Sequence, residues 1–292
     1  MFDFKEETLS GFEVINSRSK DGVGIYDVKY ESPFKGEVSG YLLVPDIIGP
    51  LPALIFMHPS EGNRKTFFRE AQLLATKGYI SLLSEAQYLR DGGGESQEKL
   101  EFTKRIEEMA DIQKYIQTVM DIRRGVTLLG KLRKVDEAKI AFIGHGIGAA
   151  WGGILSGIDN RIKTFILISG YGKVSEMQMK SEHPIAMLIR SFLPLERYEY
   201  FISSLNKMDA IHYVKNASPA SILFQFAVND EYIDRSQAIS FYSAASSPKK
   251  VIWYDTNHLF SNCEAAIYDR NEWLFAQNIG QSGNFTKKST AN

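Results

Sequence analysis

The sequence predicts an α/β fold built around a mostly parallel sheet, and three observations carry that reading. Short continuous apolar runs, LPALIFM at 51–57 and ASILFQFA at 220–227, have the composition of strands covered on both faces. Between such runs lie segments whose apolar residues recur at three-and-four spacing, as on one face of a helix. Polar, chemistry-bearing residues follow several runs directly, and open α/β sheets bind ligands beyond the carboxyl ends of their parallel strands.

The elements follow in order. VGIYDVKY at 23–30 and GEVSGYLLV at 36–44 are β-rich and meet at a Ser-Pro-Phe-Lys-Gly turn, which suits an antiparallel pair at a sheet edge. LPALIFM then ends in the loop His-Pro-Ser-Glu-Gly at 58–62. Residues 65–77 place Phe67, Phe68, Ala71, Leu74 and Ala75 at helical spacing, and Lys77-Gly78 stops the helix before a strand at 79–83. Such a strand–helix–strand unit makes the two strands parallel. After Glu85 the stretch AQYLRDGGGES is a Gly-rich loop, and a long helix is expected from about 97 to 127, with Ile106, Met109, Ile112, Ile116, Val119 and Met120 on one face.

A strand at 138–143, the turn GHGIG at 144–148, a helix of small residues and a strand at 162–168 come next. Residues 171–217 break the alternation with Met- and aromatic-rich segments and read as a lid-like insertion on top of the domain. The sheet resumes at 220–227, followed by a helix at 235–245, a strand at 250–254 and a last helix near 262–278. Residues 1–280 read as one domain and 281–292 as a polar, frayed tail.

Composition limits the function classes. A chain of 292 residues, 44% hydrophobic and 24% charged, suits one large α/β domain. Net charge is -1 with the basic residues scattered, so neither nucleic acid nor an anionic membrane is the expected partner, and no feature points to an oligomer. A single cysteine, Cys263, allows no internal disulfide, and its place at the start of the last helix reads as a small buried hydrophobe. The opening MFDFKEETLSG lacks the basic and apolar regions of a signal peptide, and no apolar run spans 18 residues, so the expectation is a cytoplasmic protein. With no H-E-x-x-H, no C-x-x-C and no carboxylates at ligand spacing, neither a metal nor a cofactor is expected.

Two chemistries compete for GHGIG. Gly144, Gly146 and Ala149 satisfy the dinucleotide fingerprint G-x-G-x-x-G/A, but that unit needs an acidic residue near the end of the next strand, which here reads Leu-Ile-Ser-Gly at 167–170. The alternative is the nucleophile elbow G-x-S-x-G, a tight strand-to-helix turn that lifts a side chain above the sheet. Its partners come in the order nucleophile, acid, histidine. Asp230 follows the strand at 220–227 and His258 follows the strand at 250–254, in that order.

In these features the chain resembles the α/β-hydrolase superfamily, most closely its dienelactone hydrolase-like and related esterase or peptidase branches, from about residue 23 to 278. LPALIFMHPSEG resembles the strand and oxyanion loop, and ATKGYISLLSEAQYLRDGGGES resembles the following stretch, with Glu85 in place of the usual Asp. VDEAKIAFIGHGIGAAWGG resembles the elbow, FAVNDEYID the acid loop and YDTNHLF the histidine loop. The resemblance implies that Asp230 orients His258, that His258 is the general base, and that an ester is the substrate. It implies an oxyanion hole formed by the N–H groups of Ile147 and Ser60, since the usual glycine after His58 is Pro59, which has no N–H. Glu231 and Asp234 are alternative acids, Asp255 reads as a turn residue, and His145 as structural. His183 and His212 read as surface or lid residues, while Trp151 and Phe260 could line an apolar pocket or the core.

The departure is Gly146, which stands where the superfamily carries its serine and closes the acyl-enzyme route. Three readings stay open at this stage. An introduced replacement would have silenced an esterase. A natural glycine would mark a non-catalytic protein that keeps the pocket for a small apolar ligand or a partner. A His258–Asp230 dyad would act on water held in the space of the missing serine.

Overall fold

A computed structural model describes residues 11–89, 104, 106–261 and 263–279. The strands β1 (Glu13–Lys20), β2 (Val23–Glu31) and β3 (Glu37–Pro45) form an antiparallel meander. β3 pairs antiparallel with β5 (Ile80–Ser84), and from there the sheet is parallel through β4 (Leu51–Met57), β6 (Val135–His145), β7 (Ile162–Ile168), β8 (Ser221–Ala227) and β9 (Lys249–Tyr254). The order across the sheet is β1-β2-β3-β5-β4-β6-β7-β8-β9. That is the mostly parallel α/β architecture expected from the apolar runs.

Helices cover both faces. α1 (Phe68–Ala75) and α8 (Glu264–Ala276) lie on one side, and α2 (Ile112–Gly130) and α3 (Ile147–Ser156) on the other. β4 shows how one run feeds two cores. Leu54 and Phe56 belong to the same core as Leu74 and Leu274, while Ile55 between them belongs to the opposite core with Val119 and Trp151, the period-2 alternation of a strand buried on both faces. Each large apolar side chain so buried contributes about 1.5–3 kcal/mol.

A buried polar network fixes the two strands nearest the chemistry. Gln225 on β8 donates through Nε2 to the Tyr254 hydroxyl on β9 at 2.9 Å and to the Ala266 carbonyl on α8 at 2.8 Å. Its Oε1 accepts from Arg270, which also donates to both oxygens of Glu70 on α1 at 2.6 Å.

Residues 171–217 lie between β7 and β8 and carry α4 (Val174–Lys180), α5 (Pro184–Phe192) and α6 (Leu195–Lys207), then two short 3-10 turns. The helix α7 (Arg235–Ala244) follows β8. Ala186, Ile189, Phe201 and Leu205 anchor the segment to the α2–α3 side of the core.

Three sequence expectations need revision. β1 was not foreseen and takes the edge place expected for β2, because all eight of its residues are exposed and give no burial pattern of either period. The expected long helix is broken at residues 110–111: residues 104 and 106–109 are helical, and a new helix starts at Ile112, where Asp111 is an N-cap whose carboxylate accepts from Gln113 N–H at 2.8 Å. The Gly-rich part of the preceding loop, residues 97–103 of that expected helix, and the tail at 281–292 lie outside the described residues. Cys263 stands at the N-cap of the last helix, as expected, but is half-exposed rather than buried.

Candidate active site

The turn after β6 is built by two glycines that packing requires and a third that it does not. A Cβ on Gly144 would collide with the backbone of Gly148, and one on Gly148 would stand 2.5 Å from the Met57 carbonyl oxygen. Between them Gly146 adopts φ 56° and ψ −115°, held by its N–H donating to the Ile168 carbonyl at 2.9 Å. The nearest neighbours of a Cβ there would be Pro59 Cβ at 3.3 Å, His258 Nε2 at 3.6 Å and Pro59 Cα at 3.7 Å. A side chain at this position would therefore fit with a small shift of Pro59 and would aim at the imidazole. The positive φ makes any such side chain cost about 1–3 kcal/mol that glycine avoids.

His258 is 1% exposed and meets Asp230 through Nδ1, at 2.9 Å to Oδ1 and 3.0 Å to Oδ2. The Asp230 carboxylate also accepts from the N–H groups of Tyr232 and Ile233, each at 3.0 Å, and from the Ser169 hydroxyl at 2.8 Å. Burial pushes the Asp230 pKa up, but the His258 contact and charge together with these donors outweigh it and hold it below the ordinary carboxylate value. An ionised carboxylate only accepts, so Nδ1 of His258 carries the hydrogen and Nε2 presents a lone pair toward position 146.

The alternative acids have other partners. Glu231 accepts from the backbone N–H of His258 at 3.0 Å, and Asp234 caps α7. Asp255 accepts from the Asn229 side chain at 2.8 Å.

Tyr171, His145 and His183 lie against the imidazole. The Tyr171 hydroxyl reaches His258 Nε2 at a long 3.4 Å. His145 is buried behind the loop and donates through Nε2 to the His258 carbonyl at 2.8 Å, the structural role expected of it. His183, expected at the surface or in the lid, lies in the 171–217 insertion but is 1% exposed, with its ring centroid 6.2 Å from that of His258. It caps α5 by accepting from Ile185 N–H through Nδ1 and contacts Glu61 through Nε2, tying the 171–217 segment to the β4 loop. Burial raises the Glu61 pKa, yet the His183 contact brings it below the ordinary value. His212 is exposed.

Reasoning from sequence missed Ser169, Tyr171, Glu61 and His183. Ser169 and Tyr171 directly follow β7, a position rule that could have flagged them, whereas His183 is brought in by the fold of the insertion and leaves no local signal.

His145 gives the site a pH signature. Burial pushes its pKa down to about 4 from 6.5. Between those values the unfolded chain binds a proton that the folded chain refuses, so stability falls with acidity at about 1.4 kcal/mol per pH unit. The depressed Asp230 acts in the same direction, since its contribution is lost as pH falls through its folded value. Urea unfolding is expected to lose roughly 2–3 kcal/mol between pH 7 and 4.5, with the slope flattened by His145→Gln. A curve that stays level over that range in the wild-type chain would contradict this.

The two expected oxyanion donors come from different elements. Ile147 is the first residue of α3, whose opening N–H groups have no acceptor within the helix, and Ser60 lies in the loop after β4. Both line one cavity of about 40 Å³ that Trp151 also walls. The structure thus brings Gly146, Asp230 and His258 into one cluster, and Ser60 and Ile147 into an adjoining one. Among the described residues no group of three His, Cys, Asp or Glu is placed to hold a metal ion.

Comparisons with known proteins bear on the family and the fold. Residues 9–273 match the acetyl xylan esterase family. No curated protein sequence matches the chain. Among solved structures, an acetyl xylan esterase from a Paenibacillus species is 19% identical at a TM-score of 0.73, over 92% of this chain and 88% of that one. An acetyl xylan esterase from a Thermoanaerobacterium species is 16% identical at a TM-score of 0.68, over 90% and 87%. An esterase from Pyrococcus furiosus is 16% identical at a TM-score of 0.62, over 86% and 92%. At such identities the structural likeness speaks to the fold.

Proposed function

The chain belongs to the acetyl xylan esterase family, and from that premise we propose that it binds a small carboxylic ester at the β6–α3 turn and hydrolyses it by direct attack of water. One observation carries this reading. The Nε2 of a His258 held by Asp230 faces the space of a side chain that Gly146 lacks, 3.6 Å from where its Cβ would stand. A serine hydroxyl would fill that space in an acyl-enzyme mechanism, and glycine leaves it to a water molecule.

The chemistry then proceeds in two steps. His258 Nε2 takes a proton from the water as its oxygen attacks the ester carbonyl carbon, and Asp230 stabilises the imidazolium that forms. The carbonyl oxygen becomes an oxyanion and accepts from the N–H groups of Ser60 and Ile147. Collapse of the tetrahedral species expels the alkoxide, which takes the proton back from His258, releasing acid and alcohol. No covalent intermediate forms on the protein.

A second reading, an ester-binding protein without turnover, is favoured by one fact: at φ 56° glycine removes strain that a catalytic side chain would impose. The two separate on p-nitrophenyl acetate. The wild-type chain is expected to turn it over slowly without a burst, and His258→Ala is expected to lower that rate about 10²-fold or more. A rate equal to buffer, or one indifferent to His258→Ala, would overturn hydrolysis and leave binding.

A further inference from the structure

The cavity that Ser60 and Ile147 share runs inward along α3 to Trp151, one helical turn beyond Ile147, and Tyr115 on α2 and Gln178 on α4 complete its inner wall. Three polar atoms of these residues, Trp151 Nε1, Tyr115 Oη and Gln178 Oε1, are buried and have no hydrogen-bond partner. The side chains themselves are 1%, 8% and 5% exposed. The rest of the wall is mainly apolar, with Met177, Ile185, Ile189 and Leu205, and its charged members, Lys114 and Glu108, pair with each other at 3.4 Å. An unpaired buried polar atom is costly, and three on the wall of one cavity beside the oxyanion donors mark a missing ligand group.

We propose that this cavity is a subsite for a short hydroxyacyl group, whose carbonyl lies at Ser60 and Ile147 and whose hydroxyl reaches the Trp151–Tyr115–Gln178 wall. The inference rests on the ester-site reading above and deepens it by naming the acyl class. The complementarity is specific. Trp151 Nε1–H can only donate and Gln178 Oε1 can only accept, so the matching group must do both, as a hydroxyl does. A carboxylate would oppose the Gln178 oxygen, and a methyl would leave all three atoms unpaired. At about 40 Å³ the cavity has room for roughly three water-sized groups, which suits a methylene and a hydroxyl beyond the carbonyl. The backbone carbonyl of Gln178 accepts from Arg190 at 2.7 Å and from the Tyr198 hydroxyl at 3.0 Å, fixing the chain at that residue.

Glycolamide and propionamide form a matched pair of probes, differing only by hydroxyl for methyl and resisting turnover. NMR titration of the wild-type chain is expected to show glycolamide binding at least about tenfold more tightly, with a shift of the Trp151 indole N–H resonance. Trp151→Phe and Gln178→Met, each close to the original volume, are expected to bring the ratio near one with the melting temperature of each variant checked alongside. Equal binding of the two amides, binding of neither, or a ratio that survives both substitutions would overturn the subsite. The ester-site reading fails separately. If Gly146→Ser hydrolyses p-nitrophenyl acetate while the wild type binds neither amide, only the subsite is lost. If glycolamide binds selectively and Gly146→Ser is inert, the subsite stands and the ester site does not.

Discussion

Gly146→Ser is expected to raise p-nitrophenyl acetate hydrolysis by at least about 10³-fold over the wild-type chain and to introduce a burst phase. The geometry is already in place. The new Cβ would stand 3.6 Å from His258 Nε2, so a rotamer of the added hydroxyl falls within hydrogen-bond reach of the base. Nucleophile, base and acid act as a unit, so restoring the absent member recovers most of what its loss removed. The gain has a structural cost. A serine at φ 56° is strained, and Pro59 Cβ at 3.3 Å must give by a few tenths of an ångström. The variant is therefore expected to be about 1–3 kcal/mol less stable than the parent in urea unfolding. Activity gained with stability lost is the combined signature, and a variant that gains neither rate nor burst while remaining folded would reject Gly146 as the nucleophile position.

Placing Asp230→Asn in that serine background is expected to lower kcat about 10⁴-fold. Asp230 accepts from the Nδ1–H of His258 and thereby leaves Nε2 free to act as base. An asparagine turns an N–H toward the imidazole or the Ser169 hydroxyl, favours the other tautomer and leaves Nε2 protonated. The comparison with Asp234→Asn is instructive, because Asp234 caps α7 and makes no contact with the imidazole among its described hydrogen bonds. That change is expected to cost about 1 kcal/mol of stability and little rate. If both substitutions lower kcat alike, the acid has been wrongly placed.

Much of the fold was legible because burial writes itself into sequence. β4 and β8 are buried along their full lengths and read as continuous apolar runs. β1 is exposed along its full length and was invisible for the same reason. The break at Asp111 was lost because the apolar stripe continues through Ile106, Met109 and Ile112 while only the cap marks the boundary. In the site, Gly146, Asp230 and His258 were legible through their order after β6, β8 and β9. Which acid faces His258 was not, since Asp230, Glu231 and Asp234 lie within one loop and only the turn of the backbone separates their targets. His183 and Glu61 meet across more than a hundred residues, and nothing in either local sequence announces the contact.

The claim at the centre is that position 146 is the nucleophile position of an otherwise intact esterase site. Treating the wild-type chain and Gly146→Ser with a fluorophosphonate, then mapping adducts by peptide mass spectrometry, tests it most directly. The expected result is one adduct on the side chain introduced at position 146, absent from the wild type and suppressed when His258→Ala is added. An unlabelled variant, or an adduct carried instead by Ser60 or Ser169, would contradict it.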